Sequence, residues 1–227
     1  MNTANFDEDR SDRELTEVPQ ITFLGQSGFH LVLETGSIVV DPKDKESGDR
    51  DGDILYCTHK HFDHTGGVNA FLQRNAEAVF VANEQVAKTF SKWSERTIIA
   101  QPGNTYSSGP WSFKFIECKH GLFRNINDVG VVVQIGGFSF GHPGDSTILL
   151  GFGEFELDVL AVPISGAVST SPESAVSQIS QFKTLPKTVV AMHWLFRKPE
   201  GFCQKVREEL PSVRCIVPKD GELLNVD

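Results

Sequence analysis

Three histidines and an aspartate crowd the run Thr58-His59-Lys60-His61-Phe62-Asp63-His64-Thr65-Gly66-Gly67. Imidazoles and a carboxylate packed this closely are costly together unless a cation neutralises and orients them, so the run has the makings of a metal site. A solvated polar turn would account for one or two histidines, but it accounts poorly for His-x-His-x-Asp-His directly after an apolar stretch. That stretch, Ile54-Leu55-Tyr56-Cys57, reads as a buried strand, and Val68, Phe71 and Leu72 follow the glycines at helical spacing. The four side chains therefore belong to a tight loop between the end of a strand and the start of a helix.

The motif resembles the signature of the metallo-β-lactamase fold, a superfamily of hydrolases that usually carry two metals. A metal pair needs more ligands than one loop offers, and three later positions meet the demand. They are His120 in Phe115-Ile116-Glu117-Cys118-Lys119-His120-Gly121, Asp145 in Gly141-His142-Pro143-Gly144-Asp145-Ser146, and His193 in Val190-Ala191-Met192-His193-Trp194. Each resembles a later superfamily motif: a histidine after a strand, a Gly-Asp-Ser/Thr turn, and a histidine closing an apolar strand. A lone histidine at a strand end is more often structural, and it is the order and wide spacing after the first motif that make these three ligand candidates.

Carried over residue by residue, the resemblance implies one site of His59, His61 and His120, a second of Asp63, His64 and His193, and Asp145 bridging two divalent ions. Zinc is the foremost cofactor, and the same imidazole and carboxylate donors suit manganese and iron. The implied chemistry is a metal-activated hydroxide attacking a small ester, lactone or phosphodiester, with Asp63 orienting the nucleophile. His142, three residues before Asp145, is a candidate proton donor, ligand support or turn cap. Substrate contacts are expected from the loops after the ligands, at Arg124, Trp194 and Arg197. The opening of the chain, a glycine-containing turn and a strand ending in Asp41-Pro42, also resembles the superfamily. In the branch related to ascorbate-6-phosphate lactonase that turn often carries a histidine, where this chain has Gln26.

The elements that must position these residues alternate in type. Strands are expected at 21–24, 30–33 (with His30 structural), 37–40, 54–57, 78–82 and 97–100, with helices near 66–74 and 84–94 and a charged surface loop from Lys43 to Asp53. The middle reads as strands at 111–118, 129–135 and 138–140, with Gly136-Gly137 as a hairpin signal. Strands at 157–162, 188–192 and 214–217 then alternate with helices starting at Ser171-Pro172-Glu173 and near 199–210. This pattern supports a mixed α/β domain, and the resemblance implies a single four-layer αββα sandwich over 18–227, preceded by an acidic, disordered or loosely attached tail at 1–17.

Composition narrows the partners. The 227 residues carry a formal charge of −9, which argues against a large basic face for nucleic acid. No apolar run approaches the roughly 18 residues of a membrane span. The polar N-terminus does not read as a signal peptide, so a cytoplasmic protein is expected. Cys57, Cys118, Cys203 and Cys215 show no C-x-x-C spacing and are expected to be reduced core thiols. The partner is a small-molecule substrate, and homo-oligomerisation is left open. Two other functions compete: a nuclease of the tRNA 3′-end-processing type, opposed by the acidic balance, and a non-catalytic metal-binding protein, opposed by the full donor set.

Overall fold

The computed structural model describes residues 18–122 and 125–226. The expected tail at 1–17 and Arg124 lie outside the described residues. The chain begins with three antiparallel strands, β1 (Gln20–Gly25), β2 (Gly28–Leu33) and β3 (Gly36–Val40), then a short helix α1 (Lys45–Gly48). Strand β4 (Ile54–Cys57) runs parallel to β3. The histidine-rich loop after it winds into a single helical turn, α2 (Phe62–Thr65), and on into α3 (Val68–Arg74). Strand β5 (Val79–Ala82), helix α4 (Glu84–Thr89) and strand β6 (Thr97–Ile99) extend the parallel part.

The second half repeats the plan. Strands β7 (Thr105–Ser108), β8 (Trp111–Lys119), β9 (Asn127–Ile135) and β10 (Phe138–His142) form an antiparallel meander. Strand β11 (Val159–Pro163), helix α5 (Pro172–Ile179), strand β12 (Thr188–Met192), helix α6 (Pro199–Glu209) and strand β13 (Arg214–Ile216) then add parallel strands. The final strand, β14 (Leu223–Leu224), crosses back to pair with β1. Two seven-stranded sheets result, ordered β14-β1-β2-β3-β4-β5-β6 and β13-β12-β11-β10-β9-β8-β7.

The sheets face each other over one core, where Phe29 meets Phe140 and Tyr56 stacks on Phe115. Val68, Phe71, Leu72 and Val86 of α3 and α4 cover the outer face of the first sheet. Val176 and Ile179 of α5, with Phe202 and Val206 of α6, cover the second. Parallel strands buried on both faces must be apolar at every position, which is why Val159-Leu160-Ala161-Val162 and Ile54-Leu55-Tyr56-Cys57 read as unbroken runs. The fold is thus the four-layer αββα sandwich. Among the described residues no helix is long and apolar enough to cross a membrane.

The structure corrects several expectations. The edge strands β7 and β14 were not foreseen, because Thr105–Ser108 is polar and Leu223–Leu224 is two residues long; pairing with a neighbour defines both. The charged 43–53 loop contains α1, stabilised by a capping box between Asp44 and Ser47. The helix expected at 84–94 ends at Thr89 and continues as 3₁₀ turns over Ser91–Arg96. Cys203 and Cys215 are not free thiols. They form a disulfide between α6 and β13, with Cα atoms 5.3 Å apart. Their pairing follows from the return of β13 against α6, which linear spacing does not encode. Replacing both with serine is expected to lower the unfolding free energy by about 2–3 kcal/mol, the scale for so short a closed loop. Denaturant titration checks this, with metal content unchanged.

Candidate metal centre

Every candidate ligand sits just beyond the C-terminal end of a strand: the first four after β4, His120 after β8, Asp145 after β10 and His193 after β12. Close backbone packing fixes these loops. Gly67 donates its N–H to Pro42 O at 2.9 Å, and a side chain at Gly66 would strike Lys43 O. Gly144 turns the chain into Asp145 with φ +59°, where a Cβ would run into Asp128 and Thr58. His120 bridges to Ser146 across the gap between two of the loops.

The side chains converge in two groups. His59, His61, His120 and Asp145 form one and Asp63, His64 and His193 the other, with the donor atoms of each group lying within 4.8 Å of one another. His59 Nε2 and His61 Nδ1 are 3.0 Å apart. His193 Nε2 lies 3.3 Å from Asp63 Oδ2. Asp145 reaches both groups: its Oδ2 is 3.7 Å from His120 Nε2 and 3.2 Å from His193 Nε2, and its Oδ1 is 3.4 Å from His64 Nε2. His59, His64, His120, Asp145 and His193 are all buried.

The electrostatics ask for positive charge. Burial, reinforced by the neighbouring imidazoles, holds His59 well below its ordinary pKa, and burial lowers His61 and His120 as well. Burial pushes the Asp63 carboxyl up, but His193, His64 and Gln26 together hold it below the usual carboxylate range. His64 is the exception: against the pull of burial, the Asp145 and Asp41 carboxylates raise it well above the ordinary histidine value. The buried His64 Nε2 and Asp145 Oδ1 face each other without hydrogen-bond geometry. Imidazoles of lowered pKa at His59, His61 and His120 and ionised carboxylates at Asp63 and Asp145, with buried donor atoms turned inward, are a donor set that fits divalent cations, and a cation at His64 would take the place of its proton.

Several supporting residues escaped the sequence reading. Asp41 accepts from Thr58 N at 2.8 Å, from Thr58 Oγ1 at 2.7 Å and from His64 Nδ1 at 2.7 Å. The last bond fixes the His64 tautomer and turns its Nε2 toward Asp145. Thr58 Oγ1, its proton given to Asp41, lies 3.1 Å from His59 Nδ1 and can accept from it. One carboxylate therefore orients a ligand in each group, and the only sequence signal was the Asp-Pro at the end of a strand. Asp128, buried 3.7 Å from His59 Nδ1, carried no signal at all. Asp41→Asn is expected to weaken metal binding about 10–100-fold, the usual effect of losing such an orienting group. Competition against a chelator of known affinity measures it.

His142 is fully buried beneath these loops, with Nε2 donating to Ser27 O at 2.8 Å and Nδ1 accepting from Gly144 N at 3.2 Å. Both ring nitrogens are engaged with backbone, which is the geometry of a turn support, and Nδ1 also lies 4.0 Å from Asp41 Oδ2. His30 sits on β2 as expected. Arg197 turns to the 165–170 loop, donating to Ser165 O at 2.7 Å. Trp194 stacks on Phe23 and lines an open groove beside Asp63. Gln26 enters the same groove and donates to Asp63 Oδ2 at 3.0 Å.

Backbone strain gathers here too. Among the described residues the non-glycine positions with positive φ are Gln26, Asp41, His193 and Leu195, all at the centre or its groove. Each costs on the order of 1–3 kcal/mol, and such conformations persist where the surrounding structure holds them for function.

Two sheets stacked between outer helices, with donors on loops at the strand ends, define a metallo-β-lactamase fold. Igni18, a metallo hydrolase from the archaeon Ignicoccus hospitalis, superposes with a TM-score of 0.78 over 91% of this chain and 97% of its own, at 22% identity. The metallo-beta-lactamase fold protein YhfI of Bacillus subtilis gives 0.74 over 92% and 99%, at 14% identity. Residues 20–193 match the family described as the beta-lactamase superfamily domain, and the chain belongs to that family. A UPF0173 metal-dependent hydrolase of Thermus thermophilus is 28% identical over 92% of this chain and 99% of that protein.

Proposed function

We propose that the chain is a metal-dependent hydrolase of small molecules that holds two divalent ions, zinc foremost, with manganese and iron suited by the same donors. His59, His61 and His120 hold one ion, Asp63, His64 and His193 the other, and Asp145 lies between them. The observation that carries this reading is the convergence of seven donors from four separate strand ends into two groups that share Asp145. Divalent cations in such a donor set supply an ionised water near neutral pH and polarise a substrate oxygen.

The chain's own residues do the rest. Asp63 is 41% exposed at its side chain, so it faces both the donors and the groove. Its Oδ2 accepts from Gln26 and lies 3.3 Å from His193 Nε2, turned to the donor group, which leaves Oδ1 to hold and orient the attacking water's proton. The substrate is a small ester, lactone or phosphodiester, presented from the groove that Trp194 lines. Elemental analysis of protein purified without chelators should find two metal equivalents per chain, and a panel of esters, lactones and phosphodiesters should show turnover that chelation abolishes. Less than one equivalent, or no turnover by the fully metallated protein, would reject the assignment. Cleavage of structured RNA in preference to the small substrates would point to a nuclease instead.

A further inference from the structure

We propose that the groove beside the metal centre selects an uncharged ester or lactone with a flat apolar body and discriminates against anionic substrates, phosphodiesters included. The proposal rests on the hydrolase reading above and narrows its substrate class. The groove measures about 410 Å³, within the range of small-molecule sites. Its apolar wall is Phe62, Trp194 and Leu195. Phe62 stands between the ligands His61 and Asp63 yet is 77% exposed, and Leu195, two residues after His193, is 45% exposed. Trp194 is backed by the Phe23 ring, 6.0 Å away and near-parallel, so its orientation is fixed. Leu195 is held at φ +53°, backbone strain of the kind that clusters at ligand-binding sites. Large apolar side chains held in water on both sides of a reactive centre gain free energy when a ligand covers them.

The charges point the same way. Lys43, Asp44, Asp63 and Asp220 supply the groove's charged groups. Lys43 is already paired with Asp220 and Asp63 belongs to the metal centre, so Asp44 leaves the rest of the lining net negative. The arginine expected to receive an anion, Arg197, is not among the residues lining the groove, and its Nε donates to Ser165 O. An anionic body placed against this lining meets Asp44, and among the described residues that line the groove the one cationic side chain, Lys43, is already paired, which is how a site rejects a ligand. An uncharged body meets the aromatic wall and the Gln26 amide without that penalty.

The test uses the full metal-loaded chain and two ketones that cannot be hydrolysed, 4-butanoyltoluene and 4-butanoylbenzenesulfonate; a sulfonate ligates metal poorly. The neutral ketone is expected to bind at least about tenfold more tightly than the sulfonate, and Phe62→Ser or Leu195→Ser to weaken it about tenfold, the scale for lost apolar contact in a pocket. Metal content stays at the wild-type level in both variants. Asp220→Asn, which frees Lys43, is expected to narrow the discrimination, most clearly at low salt. Equal binding of the two ketones, or neutral binding unchanged in both serine variants, would overturn the proposal even if esters are cleaved. Ketone binding as expected without turnover of any ester would sink the hydrolase reading and leave the groove assignment standing.

Discussion

His61→Ala is expected to lose metal and activity together, with turnover falling by about three orders of magnitude or more, as when one member of a jointly acting set is removed. His61 lies on the loop after β4 with Nδ1 3.0 Å from His59 Nε2. Alanine leaves His59, His120 and Asp145 as an incomplete group around the same position. The fold should be little affected, because His61 is only half-buried and its site lies outside the sheet core. Surface changes of this kind cost roughly 0.5 kcal/mol. Elemental analysis and thermal unfolding on the same preparation separate the two effects. Wild-type metal content in this variant would remove His61 from the ligand set.

Asp145→Asn is the second large effect. The substitution preserves shape and removes the negative charge that stands within 4 Å of His59, His64, His120 and His193. Two cations brought together without that charge repel each other more strongly, so occupancy should fall below two equivalents and turnover by about 100-fold or more, comparable to losing a preorganised charge-stabilising group. Stability of the metal-free chain should change far less. The buried amide avoids the desolvation of the carboxylate, and His64, which loses that partner, keeps its bond to Asp41. Full activity in Asp145→Asn would show that this residue does not stand between the ions.

The sequence carried the strands that bury both faces, since a short, β-branched apolar run such as Thr188-Val189-Val190-Ala191-Met192, starting just after Pro186-Lys187, suits a strand covered on both sides. It carried less where pairing partners decide structure: β7, β14 and the Cys203–Cys215 bridge depend on what lies alongside them. The candidate ligands were legible because histidines and carboxylates after strand ends are expensive without a use. The groove was only partly so. Trp194 lines it, Arg197 Nε reaches the 165–170 loop, and Phe62, Leu195 and Gln26 join it from separate loops.

By itself the sequence determined which residue types stand at the ends of the buried strands, because local spacing and apolar runs are properties of the chain alone. Only the tertiary structure decided that His120, Asp145 and His193 close on the His59–His64 loop, that Asp41 orients a ligand in each group, and that the groove is apolar and acidic. These are distances between side chains as many as 134 positions apart in the chain, from His59 to His193. Such distances are set by how two sheets stack and where their loops meet, and no one-dimensional pattern contains them.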